Sequence, residues 1–442
     1  MKQWFILFLF AAPALAADPP STFNRDVLPI LQTRCQACHR PGEIGPMPLL
    51  TYSQARPWAA SIREAVLAGK MPPWHSDTPS QKFHNNPSLT AEEKEKIASW
   101  ASNGAPEGDP RDARPNPSFV SGWNIGQPDR IFTPAKRFEI PPAGTIEYTY
   151  YVVPAAFEKD TWITAAEFRP ENRAVMHHGQ AFIRPPQSKW LRDYPAGEYF
   201  VPQEQLPQPD AKHPAQTTNA GATGIENVVA GYVPGLVATP LPEGHGLFVP
   251  AGSDLIFQLH YTANGKSASD LPSIGFRFAQ STPEKQLVIL IALDDTFVIP
   301  PGATDYPVHG KTTLGADCDL YALFPHMHVR GRSMLLKATY PDGSSEVLLN
   351  VPRYDFNWQQ RYRLASPKRL PAGTVLEADA TFDNSPNNPS NPAPDRSVRW
   401  GDQSWEEMMV GFFEVSIPTG MDKKLLHPSA PKTTAPPEPS RK

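Results

Sequence analysis

The sequence predicts a multidomain chain: a small all-α domain at the N-terminus, followed by two tandem antiparallel β-sandwiches. Three observations carry this reading. The 442 residues exceed what one core usually serves. Residues 21 to 106 place apolar side chains at helical spacing. From about residue 120 onward, short alternating or apolar runs recur between Pro and Gly turns, in two successive sets. The 53 prolines argue against long helices over most of the chain, because each removes a backbone donor and interrupts a helix interior.

Taken in order, the first element is a leader. Lys2 is followed by an apolar run from Trp4 to Ala12 and then by Ala14-Leu15-Ala16, the A-x-A form of a secretory signal peptide over 1–16, cleaved near Ala16. The mature chain is therefore expected to be periplasmic or secreted. It is expected without stable membrane insertion, since no other run of about 18 apolar residues exists. A formal net charge of −4 with no basic stripe excludes nucleic acid as a natural partner.

The helical domain is expected over 17–110. Its helices are read in "STFNRDVLPILQTRCQACH", "SQARPWAASIREAVLAG" and "LTAEEKEKIASWASNGAP". The third carries Thr90 as N-cap, Glu93 three residues on and Gly104 just past its end. Trp100 on this helix is expected to pack rather than react. A Pro- and Gly-rich linker follows at 111–119. The first set of strands, over 120–283, includes "TIEYTYYVVP", "WITAAEFRP", "VMHHGQAFIRP", "SDLIFQLHYTA" and "SIGFRFA". The second, over 284–420, includes "KQLVILIALD", "DLYALFPHMHVRG", "SEVLLNVP", "TVLEADATFDN" and "EEMMVGFFEVSI". Residues 421–442 lack core residues and read as a disordered tail.

Three cysteines make no disulfide framework. Cys318 reads as a small buried thiol. Cys35 and Cys38 fall in C-x-x-C-H, the attachment signature of one covalent haem c, with His39 placed to bind the iron. A redox dithiol or half a zinc site would lack its βαβ context or its second cysteine pair. Met71 in "LAGKMPPWH" is the expected second axial ligand, with Met47 and His75 as competitors. A thioether opposite an imidazole suits electron transfer. In order and length this stretch resembles a small class I cytochrome c domain.

Five of the twelve histidines stand out: His177 beside His178, His260 in "FQLHYTA", and His326 with His328 in "FPHMHVRGRSM". In an extended strand His326 and His328 point to one side and could pinch one ion. The His-His pair, "LPEGHGLFVPAGSDLIFQLHY", the H-x-H pair and "EEMMVGFF" follow one another in the order found in the copper type II, ascorbate-dependent monooxygenases. Residues 120 to 418 resemble that family, which includes the peptidylglycine alpha-hydroxylating and dopamine beta-monooxygenases. The resemblance implies two tandem, jelly-roll-like sandwiches, each with one of two coppers. It implies that His177, His178 and His260 hold an electron-storing copper, and that His326, His328 and Met408 hold the copper that meets O2. Met409 is the alternative to Met408. Imidazoles suit copper in both oxidation states, and a thioether favours Cu(I).

The implied activity is hydroxylation of a C–H bond of a small organic substrate, with the haem passing in electrons from a redox partner protein or small reductant. The peptide-amidating branch of that family places an Arg before H-x-H, and an Asn and a Tyr after the methionine. Here those places are Phe324, Val410 and Phe412, so a peptide carboxylate is not the expected substrate. Asp395, Arg396 or Arg399 could reach the mouth of a pocket. His245 is the one other histidine that lies close upstream of a ligand. Two rivals are a haem c electron-transfer or copper-binding protein without monooxygenase activity, and an oxidase that reduces O2 without oxygen insertion.

Overall fold

A computed structural model describes residues 20–120, 122–202, 227–233 and 236–427. The expected signal peptide, His213 and the tail beyond His427 lie outside the described residues. None of the described helices is long and apolar enough to cross a membrane. The chain divides into two compact units. Residues up to Pro41, with Gly45–Pro72 and Ser88–Pro117, form one, and Gly42–Ile44, Pro73–Pro87 and the chain from Ser118 onward form the other.

The first unit corrects the expected fold class, because no all-α class I cytochrome c domain forms. Among the described residues the α-helices are α1 (Leu28–Arg34), α2 (Tyr52–Ala55), α3 (Ala59–Leu67) and α4 (Ala91–Ser102), and the protein as a whole is mainly β. The reasons are local. A π turn at Phe23–Val27 leads into α1, which stops at Cys35 so that C-x-x-C-H lies on turns. Pro57 breaks the second expected helix at a 3-10 turn, Arg56–Trp58. Only α4 matches its signals: Thr90 Oγ1 accepts from the Glu93 N–H at 3.1 Å, and Glu93 Oε2 accepts from the Thr90 N–H at 2.7 Å. Phe23, Leu31, Ile62, Ile97 and Trp100 make this unit's core.

The second unit corrects the other half of the expectation, because its sandwiches are neither separate nor purely antiparallel. One eight-stranded sheet runs through both, in the order Arg130–Phe132, Ser273–Phe278, Thr161–Arg169, His245–Val249, Lys285–Leu293, Met409–Pro418, Cys318–Met327, Tyr362–Leu370. Its two halves meet in a short parallel contact, Lys285 opposite His245 and Gln286 opposite Gly246.

The first half shares a core of Phe168, Phe257, Leu259, Ile274 and Phe276 with a five-stranded sheet. That sheet contains Thr149–Val153, Asp254–Tyr261 and Met176–Arg184 side by side. The second half packs on the four strands Tyr306–Thr313, Val375–Phe382, Gly331–Thr339 and Ser345–Val351. Here Leu290, Leu336, Ala378, Phe413 and Val415 are buried together. Gly411 lets these layers close up, since a Cβ there would meet Leu336 Cδ2 at 2.7 Å.

Two further segments belong to this unit. Pro73–Pro87 straps onto the second sandwich: the Asp77 N–H donates to the Asn350 carbonyl and the His84 N–H to that of Arg363, both at 2.8 Å. The Trp74 ring lies 4.7 Å from Tyr362. The expected tail opens with a 3-10 turn, Lys423–Leu426, whose Leu426 is fully buried. Cys318 is buried in the core as a free thiol, and burial pushes it up to about 12.

Candidate metal centre

Met176–Arg184 pairs with Asp254–Tyr261 so that His178 stands opposite His260. Neighbouring strand residues normally point to opposite faces. The register slips between Met176 and His178, and this bulge turns His177 to the same side as His178. The three ligand atoms of His177, His178 and His260 lie within 4.8 Å of one another. His177 Nδ1 sits 3.2 Å from His178 Nδ1. His260 Nδ1 is buried without a hydrogen-bond partner, a cost of about 1–3 kcal/mol unless something satisfies it. A metal ion would, so the three residues fit one.

Burial keeps these rings neutral. It holds His260 down at about 3, with His177 adding to the effect. His178 is depressed well below the usual range by burial, then by His260, His177, His326 and His328. Neutral imidazole is the form that binds a metal. The Tyr148 ring packs 5.0 Å from His178 and 4.6 Å from His260, and Phe356 stacks on His177 at 4.9 Å.

The H-x-H pair lies at the end of Cys318–Met327, with its rings 5.3 Å apart. His326 Nδ1 is 2.7 Å from Gln359 Oε1. The Gln359 amide nitrogen donates to the Phe356 carbonyl, so its oxygen faces the ring and Nδ1 is the donor. His328 Nδ1 likewise donates to the Glu406 carbonyl at 3.3 Å. Both rings are thereby left with Nε2 as the lone-pair nitrogen, the arrangement a metal-binding histidine takes. Burial lowers His326 to about 4 and His328 well below its usual value. Met408 lies on the wall of the same cavity, whereas Met409 is fully buried opposite Met327.

Of the first set, His178 reaches that cavity. About 50 Å³ of space is lined by His178, His326, His328 and Met408, together with Tyr148, Tyr150, Gln180, Gln258, Phe182, Phe324, Phe412 and Asp402. The loop before Met408 ties the sandwiches together: the Tyr148 N–H donates to Gln403 Oε1 at 3.2 Å, and the Tyr148 hydroxyl meets Ser404 Oγ at 3.1 Å.

Sequence reasoning missed the supports. Glu407 accepts the His328 N–H at 2.9 Å and the Arg330 N–H at 2.6 Å, pinning the end of the H-x-H strand. Buried Arg330 donates to Asn384 Oδ1 and to the Trp405 carbonyl, both at 2.8 Å. The available signal was an acidic pair in front of an apolar strand. Of the other candidates, Phe324 and Phe412 line the cavity, but Val410 lies in the core. Asp395, Arg396 and Arg399 are exposed and do not line it. His245 sits at the junction of the sheet halves, against Tyr321.

In the first unit, Cys35 and Cys38 form no disulfide. The His39 N–H donates to the Cys35 carbonyl at 2.9 Å. Its Nδ1 lies 3.1 Å from the Met47 carbonyl oxygen, so Met47 meets His39 through its main chain. Its side chain packs against the core. Gly45 crosses close by, where a Cβ would come within 2.8 Å of His39 Nδ1. Met71 follows α3, its N–H donating to the Ala65 carbonyl at 3.2 Å. The competitor His75 falls in the β unit.

No protein-family model matches the chain, and no curated protein matches it. Among solved structures it is similar to capsid structures of infectious bursal disease virus. The Gx-strain structure is 12% identical, over 69% of this chain and 76% of that one, with a TM-score of 0.20. The VP2 subviral particle is 9% identical, over 70% and 77%, also at 0.20. A likeness at this score carries no argument about fold or function.

Proposed function

We propose that the chain is a copper-dependent monooxygenase with its own haem c electron relay. The observation that carries this reading is the bulge that brings together His177, His178 and His260, whose Nδ1 is orphaned, and that sets His178 on the cavity lined by His326, His328 and Met408. Copper bound there would supply one-electron chemistry and, at the thioether-containing set, a Cu(I) state that reacts with O2. The balance is R–H + O2 + 2 e⁻ + 2 H⁺ → R–OH + H2O.

The chain's own residues prepare this. Burial keeps the imidazoles unprotonated, and Gln359 and the Glu406 carbonyl orient His326 and His328. Glu407 fixes the strand end that carries them, and Phe324 and Phe412 give the cavity an apolar wall against solvent.

Cys35, Cys38 and His39 fit a covalently attached haem, which would supply electron transfer. The His39 Nδ1–Met47 contact leaves Nε2 for a metal. Burial pushes the Cys35 thiol up to about 12, the opposite of the lowered value an active redox dithiol needs. Met71 is the residue proposed to hold the iron together with His39.

The test is turnover under ¹⁸O2 with a reductant and candidate substrates. One labelled oxygen atom in an organic product is the expected result. O2 consumption with the label only in water would support the oxidase reading. Electron transfer without O2 consumption would support the carrier reading.

A further inference from the structure

The wall beside the first histidine set has an ordered pattern that the copper chemistry does not use. Gln180 stands directly opposite Gln258, and Gln258 opposite Tyr150, so three polar side chains form one rung across three strands. The rung lies two residues along from the His178–His260 pair and therefore on the same face. All three side chains line the shared cavity. The next residue on that face of the His178 strand is Phe182, which also lines it.

Gln258 Nε2 donates to the Tyr150 hydroxyl oxygen at 2.6 Å, which leaves Gln258 Oε1 as an acceptor. The Gln180 side-chain amide makes no hydrogen bond among the described residues. It offers one acceptor and two donors to whatever enters. The far wall is Phe324, Phe412 and the His326–His328–Met408 set. No Lys or Arg lines the cavity among the described residues, and the one acidic group on its wall is Asp402. Apart from a bound copper ion, an anion there would lose its water with no protein cation to replace it, and would meet the Asp402 carboxylate. Two amides and a phenol recognise a neutral group that both donates and accepts. The space is also small. About 50 Å³, against the roughly 10–15 Å³ that one water needs, admits the end of a molecule rather than a peptide chain.

We propose that the Tyr150–Gln258–Gln180 rung is the substrate-recognition site, and that it takes an uncharged molecule whose apolar body ends in a hydroxyl or carboxamide. This rests on reading the two histidine sets as copper ligands. The rung holds the polar end, while Phe182, Phe324 and Phe412 hold the carbon body in the space lined by Met408.

The test uses the full-length protein loaded with Cu(II), and the proton relaxation of three probes of equal length: 1-butanol, butyrate and butylamine. The rung predicts paramagnetic enhancement for 1-butanol, and about tenfold less for butyrate, as expected when a site built for hydrogen bonding meets the wrong group. Gln180→Leu and Gln258→Leu should each lower the butanol effect several-fold while the Cu(II) spectrum keeps its nitrogen hyperfine pattern. Gln180→Arg should reverse the preference toward butyrate. Equal or stronger enhancement of butyrate or butylamine in the unaltered protein, with a Cu(II) spectrum that the probe leaves unchanged and so without direct coordination to the metal, would overturn the proposal, as would leucine variants that bind butanol unchanged. The two readings fail separately: nitrogen-ligated copper without butanol relaxation removes only the rung, whereas no nitrogen-ligated copper removes both.

Discussion

His260 concentrates the chemistry of the first set in one ring. Its Nδ1 is buried and unpaired, and burial with His177 alongside holds it near 3. His326 is held near 4, mainly by burial. Both values are depressed from 6.5, so the unfolded chain binds protons that the folded chain refuses. Metal-free protein should therefore keep full stability above about pH 6.5 and lose it progressively as pH falls toward 3 to 4. Urea midpoints across that window check this, and a flat profile from 6.5 to 4 would contradict it. Glu407 acts through backbone. Glu407→Ala leaves the His328 and Arg330 N–H groups without their acceptor, at about 1–3 kcal/mol each. Urea unfolding should show that loss, and copper analysis should show the H-x-H set emptied while the His177 set stays filled.

At the level of the element, the bulge between Met176 and His178 decides whether two adjacent histidines can serve one ion. Gly179 lies directly after it and faces the opposite sheet, where a Cβ would run into the Phe168 ring and the Met176 sulfur. Gly179→Ala should push the strand outward, costing about 1–3 kcal/mol by overpacking. It should lower copper at the first set, read from urea midpoints and copper content together. The strands were legible because "VMHHGQAFIRP" and "SDLIFQLHYTA" are apolar runs bounded by turn residues. The bulge was not, since a register slip depends on the partner strand. The helices are shorter than their spacing suggests for a related reason: the spacing in "SQARPWAASIREAVLAG" is helical, but Pro57 divides it.

For the whole molecule, the eight-stranded sheet is the feature the sequence concealed. A parallel contact of two residue pairs, at His245–Gly246 and Lys285–Gln286, has no periodicity to read, yet it makes two sandwiches into one scaffold. Likewise, nothing in "MPPWHSDTPSQKFH" announces that Pro73–Pro87 belongs to the β unit. The candidate site was more legible than the fold around it. His177, His178, His260, His326, His328 and Met408 are spread over more than 230 positions, and the sheets gather the first three into one group and set His178 on the cavity wall with the last three. Their supports, Gln359, Glu407 and Arg330, escaped notice because a polar residue with a structural partner looks like any other polar residue in sequence.

The proposed chemistry requires those six side chains to hold two metal ions. The most direct measurement is the copper-to-protein ratio of the full-length protein beside its His178→Ala and His328→Ala variants, each taken after exhaustive dialysis. Two coppers per chain, falling to one in each variant, is the predicted result. An unaltered protein that retains no copper, or variants that retain as much as the parent, would contradict it.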